Sequence, residues 1–196
     1  MMDTYRQEER HFHWHLLDGS WYWWGFLGGS LVLAVATYPC LESVDLAVMG
    51  IILAVLLLLQ SLMDIRYGLL YDRLNLIIAC GALLPVIGGR VTGSDAVLGG
   101  LFGGGLLWLL RGLTHGGVGL GDVKLAGAIG LWLGWPALLP GLGIAFLAGG
   151  LFGSWLLLRG SSLQTRLPFG PFLAAGGYAG FLFGLDICQW YGRMLL

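Results

Sequence analysis

Apolar residues along this chain come in long blocks, without the alternation of a half-buried strand. Seven apolar segments are read, at about 21–39, 46–63, 74–88, 95–110, 123–139, 141–158 and 172–190. The breaks fall at Pro39, at 64–73, at Gly88-Gly89-Arg90, in the glycine-rich 111–122 stretch, at Pro140-Gly141 and at 159–171. A straight helical span needs roughly 20 residues, and some segments are shorter. Helices satisfy the backbone of long uninterrupted apolar runs in lipid without help from neighbours. The pattern therefore predicts an all-α polytopic membrane protein of about seven transmembrane helices. A polar tail over 1–20 precedes a transmembrane domain over 21–196.

Composition sharpens this. Of 196 residues, 57% are apolar and 11% charged, against about 25% charged in ordinary soluble domains. A net charge of −1 gives no signal for nucleic acid. With the N-terminus in the cytoplasm, Arg6, Arg10, Arg66, Arg73, Arg111, Lys124, Arg159 and Arg166 fall inside, and Arg90 and Arg193 outside. That sorting follows the positive-inside rule. Trp21, Tyr22, Trp23, Trp24, Trp135 and Trp190 lie near segment ends, as interfacial aromatics do. Small residues four apart (Gly99/Gly103, Ala126/Gly130/Gly134, Gly149/Gly153, Gly176/Gly180/Gly184) place grooves on helix faces where another backbone can approach. Cys40, Cys80 and Cys188 form no CxxC pair and read as lone thiols. The polar start argues against a cleavable signal peptide.

Two acids stand at segment edges on the cytoplasmic side. Asp64 ends one apolar run, and Asp122 opens another after Gly119-Leu120-Gly121. Either alone is compatible with an ordinary interfacial residue. Together they suggest a pair. The glycines let another segment come close to Asp122. The helix dipole favours charge on Asp122, at a helix start, and disfavours it on Asp64, at a helix end. Asp122 is thus expected to be the more readily ionised, with Asp64 holding the proton. One charged and one neutral carboxyl is what aspartic-protease chemistry requires.

These residues resemble the type IV prepilin leader peptidases, membrane aspartic proteases. Three anchors carry the resemblance: Met63-Asp64-Ile65 with Asp72 eight residues on, Gly119-Leu120-Gly121-Asp122-Val123-Lys124-Leu125, and Pro168-Phe169-Gly170-Pro171 before the last segment. The resemblance implies Asp64 and Asp122 as the catalytic pair, with no cofactor and no metal. It implies a prepilin or pseudopilin substrate whose short basic leader is removed on the cytoplasmic side of a bacterial inner membrane. The family usually has Pro where Tyr71 stands. Many members add a domain with two CxxC pairs, associated with N-methylation; those pairs are missing here, and no methyltransferase activity is expected.

Other residues carry open alternatives. Asp72 either attracts the basic leader or pairs with Arg66 or Arg73. Lys124 either tunes Asp122 or serves lipid or structure. The Pro168–Pro171 loop is expected to shape the cleft wall, with Gly119, Gly121 and Gly170. His11, His13 and His15 alternate in the tail, a weak metal pattern lacking a fourth ligand. Presenilin-type proteases also use GxGD but pair it with Pro-Ala-Leu, where Pro168-Phe169-Gly170 stands here. A different class remains: a non-catalytic scaffold or small transporter using Asp64 and Asp122 to bind ions. The sequence carries no signal for oligomeric state.

Overall fold

The computed structural model describes residues 43–115, 117–160 and 167–195. The tail over 1–20 with His11, His13 and His15, the apolar segment 21–39, and Cys40 lie outside the described residues. Among the described residues seven helices follow one another: α1 Val44–Tyr67, α2 Asp72–Gly81, α3 Leu83–Ile87, α4 Gly93–Leu113, α5 Leu120–Leu133, α6 Leu138–Leu158 and α7 Gly170–Leu195. There is no strand among the described residues. Four of these helices, α1, α4, α6 and α7 up to Met194, are long and apolar enough to cross a membrane. Their outward faces carry Val48, Ile51, Leu98, Leu101, Leu147 and Leu151, all exposed, a lipid-compatible surface that water would not tolerate at this extent.

Two sequence-drawn segments have different boundaries in the structure, each for a backbone reason. The segment 74–88 is two helices, broken after Gly81. Pro85 lies four residues further on, and its ring clashes with the carbonyl four positions back while offering no N–H. The segment 123–139 ends at Leu133, because Gly134 adopts φ 69°, a left-handed value that suits glycine. The expected break at Pro140-Gly141 is instead the first turn of α6. Proline is tolerated there, since the first N–H groups of a helix have no intrahelical partner.

The short helix α5 is the centre of the bundle, packed by α4, α2 and α7. Leu125, Ala126, Ile129 and Trp132 on it are almost wholly buried. Trp132 Nε1 donates to the Ile78 carbonyl at 2.5 Å, tying α5 to α2. The core continues through Leu53 and Leu57 of α1 and Leu138 and Ala145 of α6 to Leu173 and Phe181 of α7. In the α3–α4 turn, Arg90 donates to the Phe181 carbonyl and lies over the Phe181 ring, fastening that turn to α7.

Two seams of small residues bring backbones together. In the α4–α5 seam, a Cβ on Gly99 would run into the Gly130 carbonyl, one on Gly130 into the Gly99 carbonyl, and one on Gly103 to 2.6 Å from the Ala126 carbonyl oxygen. In the α6–α7 seam, Gly176 and Gly180 press on Gly141, and Gly184 on Ala137. The Gly149/Gly153 pair differs. Gly149 makes room for the Phe169 ring, whereas Gly153 faces open space. Gly130→Ala should therefore lower stability by about 1–3 kcal/mol through overpacking against backbone that has nowhere to go. Gly105→Ala, on the open side of α4, should leave it unchanged or slightly raised. Thermal unfolding of the two variants in detergent checks the contrast.

Candidate active site

The α1 helix ends just beyond Asp64. Gly68 takes φ 61° as its cap, and its N–H closes the last turn on the Asp64 carbonyl at 2.8 Å. The chain then turns through Leu69 to Tyr71 into α2. This turn carries Leu70 inward, where a Cβ on Gly121 would lie 2.7 Å from the Leu70 Cβ and one on Gly170 would lie 3.0 Å from its Cδ2. Leu70 thus wedges between the start of α5 and the start of α7. A methyl group at Gly121 would overlap the Leu70 Cβ, which cannot swing away, whereas at Gly170 the tighter neighbour is Asp64 Oδ2.

The Asp64 side chain is 7% exposed. Its Oδ2 accepts the backbone N–H of Gly170 at 2.8 Å. That N–H belongs to the first residue of α7, whose opening donors have no partner within the helix. Pro168 precedes this helix and Pro171 is its second residue, both half-buried. The loop expected to shape the cleft wall is therefore brought to Asp64, and its contribution is a glycine amide. A Cβ on Gly170 would sit 2.6 Å from Asp64 Oδ2.

Asp122 lies in the first turn of α5 and is 9% exposed. Its Oδ2 accepts the N–H of Gly119, the residue that caps α5, at 3.1 Å. This is the carboxylate half of a capping box. Oδ1 is buried without a hydrogen-bond partner among the described residues. Leu70 packs on Gly121, the residue before Asp122, and on Gly170, whose N–H is bound to Asp64, so the two acids stand on either side of one side chain although 58 positions separate 64 from 122. Each occupies the helix end that its sequence position implied.

Lys124 Nζ donates to Asp72 Oδ2 at 2.7 Å. The partner that the described residues give Asp72 is thus Lys124, where the sequence suggested Arg66 or Arg73, because α2 starts beside the first turn of α5 and brings the two side chains together. The pair is well exposed, with 50% and 68% of the Lys124 and Asp72 side chains accessible. At such exposure an ion pair contributes about 0–1 kcal/mol.

Two residues of the site escaped sequence reasoning. Gln60 is fully buried one turn before Asp64, and Asn75 on α2 is 4% exposed. Gln60 Nε2 donates to Asn75 Oδ1 at 3.0 Å and to the Tyr71 carbonyl at 3.4 Å. Asn75 Nδ2 donates to the Gly121 carbonyl at 3.4 Å. The signal was present: an amide inside the run Leu56–Met63, four positions before an acid, lies on the same helix face as that acid.

Residues 51–154 match the model of the type IV leader peptidase family. Among curated proteins, a prepilin leader peptidase/N-methyltransferase of Aeromonas salmonicida (strain A449) is 34% identical over 203 residues, spanning 90% of this chain and 69% of that protein. Proteins of the same name from Burkholderia pseudomallei (strain K96243) and Bacillus subtilis (strain 168) are 41% identical over 137 residues and 33% over 148. Those alignments span 65% of this chain and 44% of the Burkholderia protein, and 72% of this chain and 58% of the Bacillus protein. No solved structure matches. Matched through its GxGD segment and both helices that carry the paired acids, the chain belongs to the type IV leader peptidase family.

Proposed function

We propose that this peptidase is a membrane-embedded aspartic endopeptidase that removes the short basic leader of prepilin or pseudopilin-like proteins at the cytoplasmic side of a bacterial inner membrane, with Asp64 and Asp122 as its catalytic pair. The observation that supports this is the placement of two buried carboxyl groups at helix ends on either side of Leu70. Each is held by one glycine amide, and one of them keeps an unengaged oxygen. We read the seven apolar segments as seven spans with a cytoplasmic N-terminus, residues 1–20 as a cytoplasmic tail and 21–196 as the peptidase domain. The names of the relatives, prepilin leader peptidase/N-methyltransferase, support the substrate class; only the peptidase half is proposed here.

In this reading the pair shares one proton. The ionised carboxyl, taken as Asp122, takes a proton from a water as its oxygen attacks the scissile carbonyl. The neutral carboxyl, Asp64, hydrogen-bonds and protonates that carbonyl oxygen, giving a tetrahedral diol. Asp122, now protonated, delivers its proton to the leaving nitrogen as the C–N bond breaks, while the diol returns a proton to Asp64. No cofactor takes part. Attraction to the basic leader is the role proposed for Asp72, whose exposed carboxylate would exchange its Lys124 partner for a cation of the leader. Gly119, Gly121, Gly170, Pro168 and Pro171 shape the site around the acids.

The test is cleavage of a leader-bearing prepilin reconstituted with the peptidase in vesicles. Asp64→Asn and Asp122→Asn should each abolish cleavage while both proteins stay folded in the membrane. The parent should show a bell-shaped pH profile of kcat/KM. Activity rises as the first carboxyl ionises and falls as the second loses its proton. Retained cleavage in either Asn variant would exclude the pair, and transport or scaffolding would then explain the acids.

Gly170→Ala should reduce cleavage by roughly 100-fold, the scale expected when a reacting group is misplaced by about 1 Å, because the added methyl occupies the space of Asp64 Oδ2. Gly153→Ala, facing open space, serves as the matched control in the same assay.

A further inference from the structure

Two buried amides outside the acid pair join the helices that carry it. Gln60 is on α1 with Asp64, Asn75 is on α2, and Gly121 is the residue before Asp122 on α5. The links run Gln60 Nε2 to Asn75 Oδ1 and Asn75 Nδ2 to the Gly121 carbonyl. The direction of this chain is set by chemistry. A carbonyl only accepts, so Asn75 must turn its NH2 to Gly121. Its oxygen then faces Gln60, which must present an NH2 in turn.

Neither amide is explained by packing. Both are buried beside Leu57 and Ile78, where leucine would fill the space without desolvating a polar group. Burying an amide without compensation costs about 1–3 kcal/mol by protein mutational measures. Gln60 Oε1 has no hydrogen-bond partner among the described residues, so the network falls short of full satisfaction and is a poor device for stability alone. Its geometry, by contrast, is specific. It runs from the helix turn bearing one acid to the peptide unit preceding the other.

We propose that Gln60 and Asn75 are positioning residues that set the separation and orientation of Asp64 and Asp122 by holding the Gly121 peptide. This rests on the reading of those acids as the catalytic pair. Asp122 has one side-chain hydrogen bond, to the Gly119 amide, and its backbone sits in a first helical turn with few internal constraints. Gly121 has no side chain of its own to fix the orientation of its peptide, and the Leu70 side chain packed on it is apolar and makes no hydrogen bond. The Asn75 bond supplies that restraint from outside, and Gln60 supplies the orientation of Asn75.

The experiment uses the full chain in vesicles with a purified prepilin whose basic leader ends in Gly before an apolar helix. Parent, Asp64→Asn, Gln60→Met, Asn75→Asp and the Gln60→Met/Asn75→Asp double variant are compared. Asn75→Asp is nearly isosteric and keeps the acceptor facing Gln60, but its carboxylate cannot donate to Gly121. Each single amide variant should lower kcat roughly 10–100-fold per folded molecule with KM held within about twofold. The double variant should be no worse than the weaker single, because both cut one chain. Hydrogen–deuterium exchange at 119–125 should rise in every amide variant, a readout independent of turnover.

Amide variants with parental kcat, a change in KM alone, strictly additive losses, or unaltered exchange at 119–125 would overturn the proposal while leaving the acid pair standing. A parent that does not cleave, or an Asp64→Asn variant that does, removes the pair and this inference together.

Discussion

Two carboxyl groups cannot be buried side by side in an apolar bundle unless something in the backbone compensates them. Bare, each would cost several kcal/mol in desolvation, and their mutual repulsion would add to it. Here the compensation comes from amides at helix starts, Gly119 for Asp122 and Gly170 for Asp64. Such amides have no helical partner, and they lie at the positive end of a helix dipole. Glycine at both positions is a steric condition, because a Cβ on either would press on the carboxylate it serves. The site is therefore assembled from helix ends, and the long helices exist to bring those ends to one level.

The rest of the bundle follows from that convergence. Asp122 stands on α5, too short to match the long spans, yet almost fully buried along one side. Such a helix needs close neighbours, which the Gly99–Gly130 seam with α4 and the Trp132 bond to α2 supply. Asp64 stands on α1, whose principal neighbour is α7, the helix that also provides the Gly170 amide. A single residue, Leu70, separates the two glycine-lined approaches. Packing and chemistry thus share the same few residues, so substitutions near Leu70 act on both.

Much of this was legible in the sequence because the relevant signals are local. Long apolar runs, GxGD at a helix start and an acid at a helix end can each be read without knowing what packs on what. The seams at Gly99 and Gly180 were equally visible as small residues four apart. Three features were not. The end of α5 at Leu133 depends on Gly134 taking a left-handed conformation and on Pro136, while Pro140 looked the stronger breaker until α6 placed it in a first turn. Gly149 and Gly153 have the same spacing as Gly99 and Gly103, but only one of the two faces a neighbour, which spacing alone does not determine. The Asp72–Lys124 pair spans 52 positions and arises from the docking of α2 on α5. Asn75 falls in the same class: it is an unremarkable amide until its partners Gln60 and Gly121 are known.

The central claim is that positions 64 and 122 lie side by side in the folded membrane protein. The most direct measurement places spin labels on Asp64→Cys and Asp122→Cys, singly and together, with Cys40, Cys80 and Cys188 replaced by Ser, in vesicles. The account predicts strong dipolar broadening in the doubly labelled protein that neither single label shows. A doubly labelled spectrum equal to the sum of the two single spectra would contradict it.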